Sequence, residues 1–285
     1  MITDKKNQKG DPTEEREYHS ASSGVFFKIK SHLYRQDSPY QKIEVIENEY
    51  FGRVLLLDGL VQTTERDEFF YHEMLVHPAF MAHPSPQNLL IIGGGDGGVL
   101  KEILRYTIEK ASLVEIDRQV IEVSQEYFPW LSPSLKDERT ELVIADGKEF
   151  IEKTDRKFDI VFVDSSDPVG PSVSLHERDF YRKLKRCLNL EGIVIAQVGS
   201  PFYHLESIKK KDAFLKKLFK NVCFYTSPVP TYPGGSWCFV FLSDEVQPLK
   251  IKRDPPRGLK YFNLDTHQAA FSLPNFLKDL GYRCY

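Results

Sequence analysis

The chain is short of several things, and each shortage removes a class of function. It has only four cysteines in 285 residues, Cys187, Cys223, Cys238 and Cys284, and none form a C-x-x-C pair. A disulfide framework or a zinc ribbon is therefore not expected, and the cysteine usage points to a reducing, cytoplasmic protein. No run of about 18 apolar residues occurs, so no transmembrane helix is predicted. The charged opening stretch contains no apolar segment of signal-peptide length, so export is not expected either. Positive charge is not in excess: the formal net charge is −3, which argues against general binding to nucleic acid or anionic membrane and fits a small cationic substrate better. There is no H-E-x-x-H, and His72, His77 and His83 are not spaced i, i+4, so no metal site is expected. A G-x-S-x-G elbow is also missing.

Residues 1–17 are rich in charge and predict a disordered tail. Residues 18–66 then read as a small antiparallel β domain. Its strands are the alternating stretches Val25–Lys30, Lys42–Glu47 and Arg53–Leu57, and Asp58-Gly59 between Leu57 and Leu60 is a two-residue hairpin signal. A helix is expected from about Asp67 to Met81, with Phe70, Met74, Leu75 and Phe80 on one face.

From Asn88 onward the pattern alternates strand and helix, which argues for a doubly wound, mostly parallel sheet over the remainder of 67–285. Expected strands cover 89–93, 112–116, 141–145, 158–163 and 193–198, followed by 221–226 and 237–242. The lysines of the helix expected over Ile208–Lys220 read as a solvated outer face.

The turn after the first of these strands matches G-x-G-x-x-G through Gly93, Gly95 and Gly98. Alone it would suggest a dinucleotide. Asp96 inside the turn opposes that, because a carboxylate sits where a pyrophosphate needs backbone N–H groups and positive potential. Ligands of open α/β sheets bind at the carboxyl ends of the strands, and four expected strands end in acid there: Asp96, Glu115 with Asp117, Asp146, and Asp164 with Asp167. Any one of these can be an ordinary cap or turn residue. Four on one rim suggest a site. Glu115 lies about 20 residues after the turn, the usual place of an acid that holds a ribose hydroxyl. Asp146-Gly147 offers a carboxylate and an N–H to an adenine edge, or simply an N-cap. Asp164 and Asp167 flank a turn fixed by Pro168 and Pro171, and paired carboxylates suit an amine, one holding a cation and the other accepting a proton. Tyr232-Pro233-Gly234-Gly235 is a turn that can overhang the rim.

In this order, Ser38-Pro39-Tyr40-Gln41, Leu57-Asp58-Gly59 with Gln62, Glu65–Glu68 with Tyr71-His72-Glu73-Met74, Gly93–Gly98, Glu115-Ile116-Asp117, Asp164–Pro171 and Pro230–Pro233 resemble the polyamine aminopropyltransferases, the spermidine synthase family. The resemblance implies transfer of an aminopropyl group from decarboxylated S-adenosylmethionine, a co-substrate rather than a prosthetic group, to an amine, usually putrescine. It also implies a methyltransferase-like (Rossmann-like) sheet behind the β domain, and a homodimer or homotetramer. By motif position, Asp164 is the proton acceptor and Tyr71 supports the nucleophile. Gln41, Gly93, Gly95, Asp96, Glu115, Asp146, Gly147 and Pro171 line the nucleoside; Gln62, His72, Asp96, Asp164, Ser165, Ser166, Asp167, Gln197 and Tyr232 line the amine side. Where many relatives continue Gly-Pro-Ala and then an apolar-aromatic pair, this chain has Gly170-Pro171-Ser172-Val173-Ser174-Leu175-His176. That segment lies near the family's acceptor site, so agmatine, cadaverine or a longer polyamine are alternative acceptors. More distant alternatives are a methyltransferase using S-adenosylmethionine itself, a nicotinamide dehydrogenase and a non-catalytic polyamine-binding protein.

Overall fold

The computed structural model describes residues 13–165 and 170–281. Two strands, β1 (Glu14–Tyr18) and β2 (Gly24–Lys28), form an antiparallel ribbon in which Glu17 pairs with Val25. Residues 14–17, expected in a disordered tail, are therefore part of a strand; the rest of that expectation, residues 1–12, lies outside the described residues. The correction has a plain cause: charged residues suit a two-stranded ribbon with one wet face, and its stabilising partner lies beyond any local pattern.

Next comes a four-stranded antiparallel sheet of β3 (Ser31–Asp37), β4 (Lys42–Asn48), β5 (Gly52–Leu57) and β6 (Leu60–Thr64), paired in sequence order. Asp58 and Gly59 both have positive φ, 52° and 77°, which is the tight hairpin their order calls for and which brings Leu57 opposite Leu60.

Helix α1 (Glu68–Ala82) leads into the second body. It was expected to show one apolar face, but it is buried nearly all round, because it lies across the sheet and beneath later loops. Its polar side chains are therefore satisfied internally: Glu73 accepts from the backbone N–H groups of Lys260, Tyr261 and Phe262 at 2.8, 2.9 and 2.8 Å.

The large sheet has the order β12-β13-β11-β10-β7-β8-β9. In chain order it comprises β7 (Asn88–Gly93), α2 (Gly98–Ile103), β8 (Lys110–Glu115), α3 (Arg118–Tyr127), β9 (Thr140–Ile144), α4 (Gly147–Lys153), β10 (Phe158–Asp164), α5 (Arg178–Arg186), β11 (Leu188–Gly199), α6 (Leu205–Leu215), β12 (Asn221–Pro228), β13 (Ser236–Ser243) and α7 (Leu264–Ala270). Strands β7 to β11 pair in parallel, whereas β13 runs antiparallel to both its neighbours. This is the methyltransferase-like α/β architecture. Two apolar layers sandwich the sheet; Leu89, Ile91, Ile160 and Phe162 point to one side, and Leu90, Ile92, Val161 and Val163 to the other, as the period of two requires.

The chain moves outward from β7 through β8 to β9, then crosses back to begin β10 on the other side of β7. That reversal opens a crevice at the carboxyl ends of β7 and β10, where Gly93 and Asp164 sit opposite each other.

Two expectations about side chains change. Lys209, Lys210, Lys217 and Lys220 are exposed as expected, but Lys211 on α6 is buried. Cys223 on β12 is disulfide-bonded, which the C-x-x-C count did not show, while Cys187 and Cys238 are free and buried. No helix among the described residues is long and apolar enough to cross a membrane.

Candidate active site

The strand end at Gly93 approaches β10 so closely that a Cβ there would stand 2.2 Å from the Asp164 carbonyl oxygen, and Gly93 has φ +83°. Only glycine meets both demands. Gly94 N–H then donates to that carbonyl at 3.1 Å, fixing the turn to the start of the acidic loop. At Gly98 the neighbour is a side chain: a Cβ would fall 2.0 Å from the His72 ring. Asp96 folds one oxygen back onto the loop, accepting from Gly98 N–H at 2.9 Å, and turns the other to His72 Nε2 at 3.3 Å.

Helix α1 supplies the opposite wall. Tyr71 donates its hydroxyl to Asp164 Oδ1 at 2.6 Å, and His72, one residue on, places Nδ1 2.7 Å from Glu68 and Nε2 against Asp96. Lys101 from α2 closes the line behind Glu68 at 2.6 Å. Burial disfavours charge on His72, but Asp96 and Glu68 on either side outweigh it and raise the imidazole to about 10. Glu68, although buried, is drawn down to about 2 by His72 and Lys101. Asp164 is pushed up to about 6, by burial first and then by Asp96, with His72 and the Tyr71 hydroxyl pulling the other way. Burial, and after it Asp164, drives the Tyr71 hydroxyl well above its ordinary value.

One ligand atom from each of His72, Asp96 and Asp164 falls within 4.8 Å of the others, a spacing that would also suit a metal ion.

These groups open into one cavity of about 190 Å³ shared by the N-terminal sheet and the large sheet. It is lined on the glycine-turn side by Gly93, Gly95, Asp96, Glu115, Asp146 and Gly147, and across from them by Gln41 and Gln62. Tyr71, His72, Asp164, Ser165, Gln197 and Tyr232 complete the set expected from sequence. Ser166 and Asp167 lie outside the described residues, and nothing is described of the Pro171 side chain.

Glu115 accepts from Asp117 N–H at 2.9 Å and is raised to about 7 by burial, with the Asp117 charge adding to it and backbone N–H groups opposing. Asp146 accepts from Glu149 N–H at 3.0 Å, so it is the N-cap of α4 as well as a wall of the cavity. Gln197 Nε2 donates to the Ser165 carbonyl at 2.7 Å, while its Oε1 is buried with no partner among the described residues. Tyr232 donates to the Gln62 carbonyl at 2.5 Å and packs against Tyr71 and Trp237, with ring centroids 5.6 and 4.7 Å apart.

Two cavity residues, Glu17 and Trp237, escaped the sequence reading, and Asp117, expected on the rim, has a different part. Glu17 lines the cavity from β1, buried, with one oxygen accepting from Val61 N–H at 2.9 Å. Asp117 does not face the ligand space but ties the domains: it accepts from Ser38 Oγ at 2.6 Å and from Gln41 Nε2 at 3.1 Å. Trp237 backs the aromatic wall. No local signal marks Glu17 as a pocket residue, since its neighbours Glu14, Glu15 and Arg16 make it look like part of a solvated run.

Comparison with known proteins agrees with this geometry. The sequence profile of the spermine/spermidine synthase domain matches residues 68–253, and that of the spermidine synthase tetramerisation domain matches residues 15–65. The polyamine aminopropyltransferase of Shouchella clausii is 42% identical over 260 residues, covering 90% of this chain and 94% of the relative. That of Methanocaldococcus jannaschii is 40% identical over 272 residues, covering 92% and 93%. Among solved structures, a spermidine synthase in complex with the transition state analogue AdoDATO is 38% identical, with a TM-score of 0.90 and 93% of each chain covered. The spermidine synthase from Thermotoga maritima gives a TM-score of 0.88 at 38% identity, over 93% of this chain and 92% of that one. Fold, cavity and sequence all lead to one assignment: the chain belongs to the spermine/spermidine synthase family of polyamine aminopropyltransferases.

Proposed function

We propose that the chain moves the aminopropyl group of decarboxylated S-adenosylmethionine onto putrescine, giving spermidine and methylthioadenosine, with Asp164 as proton acceptor. The observation that carries this reading is the Tyr71–Asp164 contact at 2.6 Å inside a cavity whose other polar walls are mostly acceptors.

Chemistry explains the fit. An aliphatic amine with a pKa of about 10.4 is neutral in only about one molecule in 2,500 at pH 7. A base beside it must take a proton before its lone pair can attack the carbon next to the sulfonium. Asp164 takes that proton; the new C–N bond then forms as the C–S bond breaks, the sulfur leaves as a neutral thioether, and the new secondary amine carries the positive charge as an ammonium. A carboxyl raised to about 6 is still ionised at pH 7 and is a better proton acceptor than an ordinary aspartate. Tyr71 holds that carboxylate in place, and Gln197 Oε1, buried and without a partner among the described residues, would accept from the amine.

In this reading Glu115, Asp146 and Gly147 meet the nucleoside with Gln41, Gly93 and Gly95, and Pro171 belongs to the same set. Asp96 and His72 meet the aminopropyl end, Asp96 favouring an ammonium over the carboxylate of ordinary S-adenosylmethionine. Gln62, Ser165, Ser166, Asp167 and Tyr232 surround the acceptor. Glu17 is a buried acid in the cavity on an element remote in sequence from Asp164, and an acid at each end suits a diamine with a cation at each end. The exposed Tyr18 and Phe26 of the β1–β2 ribbon, at 55% and 58%, support association into dimers or tetramers through that ribbon.

The test is methylthioadenosine release from purified protein given decarboxylated S-adenosylmethionine with putrescine, cadaverine, agmatine or spermidine. Putrescine is expected to turn over fastest. A faster second amine would replace it as acceptor, and no release with any amine would remove the reading.

A further inference from the structure

The strand that delivers Asp164 ends at Ser165, and Ser165 is held from two directions. Its carbonyl accepts from Gln197, as described, and its hydroxyl oxygen lies 3.3 Å from His176 Nε2. His176 ends the short helical segment Gly170–His176. The far side of the same ring, Nδ1, is 2.9 Å from Lys211 Nζ. Lys211 is the lysine of α6 that turns inward: it is only 5% exposed, and its ammonium also lies 5.6 Å from the Tyr181 ring centroid. A buried lysine is unusual enough to require a reason, and helix amphipathicity does not supply one, since Lys209 and Lys210 beside it are exposed.

The chemistry of the two donors fixes the imidazole. An ammonium has three N–H groups and no lone pair, so Nδ1 must be the acceptor in the Lys211 contact. A neutral imidazole then carries its one proton on Nε2, which donates to Ser165 Oγ. The serine oxygen is thereby held from behind, and its own O–H and remaining lone pair are left to face the cavity that Ser165 lines.

We infer that His176 and Lys211 are positioning residues for the amine acceptor, acting through Ser165: Lys211 sets the tautomer of His176, and His176 sets the rotamer of the Ser165 hydroxyl on the acceptor wall. This rests on the reading of the Asp164–Ser165 strand end as the acceptor side of an aminopropyl transfer site. The pair is a polar brace behind the acceptor wall, so the grip on the acceptor depends on hydrogen-bond direction as well as on shape.

The experiment compares wild type with His176→Gln, His176→Phe and Lys211→Met, reading kcat and both KM values for methylthioadenosine release. The nitrogen-15 shifts of His176 in wild type are recorded alongside. Gln keeps an N–H toward Ser165 and is expected to stay within about threefold of wild type. Phe and Met are expected to raise the amine KM about tenfold, with kcat and the nucleoside KM within about twofold. The wild-type spectrum is expected to show Nε2 protonated and Nδ1 bare. Wild-type amine KM in the Phe and Met variants, equal losses in all three parameters, or a proton on Nδ1 would each overturn the inference. If a variant does not fold, the wild-type spectrum still decides. Wild type inactive with every amine would instead count against the acceptor reading itself.

Discussion

Tyr71 and Asp164 are 93 residues apart in sequence and 2.6 Å apart in space, the phenol of α1 donating to the carboxylate at the end of β10. Two independent elements thus meet at one proton. Burial raises the pKa of both groups, so the contact joins a phenol that stays protonated to a carboxylate that is unusually ready to accept.

Replacing Asp164 with Asn keeps the shape and removes the basic oxygen. Proton transfer by a positioned side chain contributes about 10²- to 10⁴-fold, and turnover of Asp164→Asn should fall by about that factor. Binding of the nucleoside co-substrate, measured by calorimetry, should change less than about threefold. Turnover within a factor of two of wild type would exclude Asp164 as the base.

The position of the Asp164 pKa gives a pH dependence with a definite sign. The carboxyl must be ionised to accept a proton, so activity is present above about 6 and lost below it. The kcat/KM for the amine, which reports the free protein, should fall about tenfold for each pH unit below that value. A carbon-13 titration of the Asp164 carboxyl in the free protein checks the same point without turnover. A midpoint near the ordinary 3.8 would contradict it. His72, raised to about 10, should remain protonated throughout this range.

Glu68 offers a stability test. Its folded pKa of about 2 lies below the ordinary 4.5, so it stabilises the fold above pH 4.5, and that contribution disappears as pH falls from about 4.5 to about 2. The shift corresponds to about 3 kcal/mol, counted once for the whole His72–Glu68–Lys101 line. Glu68→Gln at pH 7 should lower urea-denaturation stability by about 2–4 kcal/mol, and the loss should shrink toward pH 3. A pH-independent loss below about 0.5 kcal/mol would show the line to be energetically idle.

A methyl at Gly98 tests how the glycine turn serves the amine side. Its Cβ would stand 2.0 Å from a His72 ring that is only 3% exposed and pinned by Glu68 and Asp96. The ring has no room to give, so overpacking of about 1–3 kcal/mol is expected. Gly98→Ala should lose at least about tenfold in kcat/KM for the amine along with stability. An unaltered amine KM would mean that His72 is not part of the grip.

Much of this was readable in one dimension because the relevant signals are local. Asp58-Gly59 forms the hairpin it names, since the need for positive φ belongs to the two turn residues alone. The glycine turn and the acids at the strand ends gather because a parallel sheet puts all its carboxyl ends on one rim. What stayed hidden depends on distant partners. Lys211 is inside, where a histidine 35 residues away accepts from it, and Asp117 joins Ser38 and Gln41 across 79 and 76 residues. The α1 helix shows no amphipathic stripe because loops near residue 260 cover the face that would otherwise be wet.

Glu17 is the sharpest of these hidden residues, and it leads to the test of acceptor length. It sits in a run of charge that suggests a tail, yet pairing with Val25 turns its side chain into the cavity, where it is 5% exposed. One oxygen accepts from Val61 N–H and the other lies 3.4 Å from His19 Nε2, and a carboxylate oxygen can accept a second hydrogen bond, here from an ammonium. If Glu17 holds the far cation of a diamine, Glu17→Gln should raise the putrescine KM about tenfold and leave kcat and the nucleoside KM near wild type. A monoamine of the same carbon count, n-butylamine, has no second cation, and its kcat/KM should be nearly the same in both proteins. Equal losses for putrescine and butylamine would mean that Glu17 supports the loop at Val61 and does not contact the acceptor. The comparison separates the two roles because truncating the substrate and neutralising the residue remove the same interaction from opposite sides.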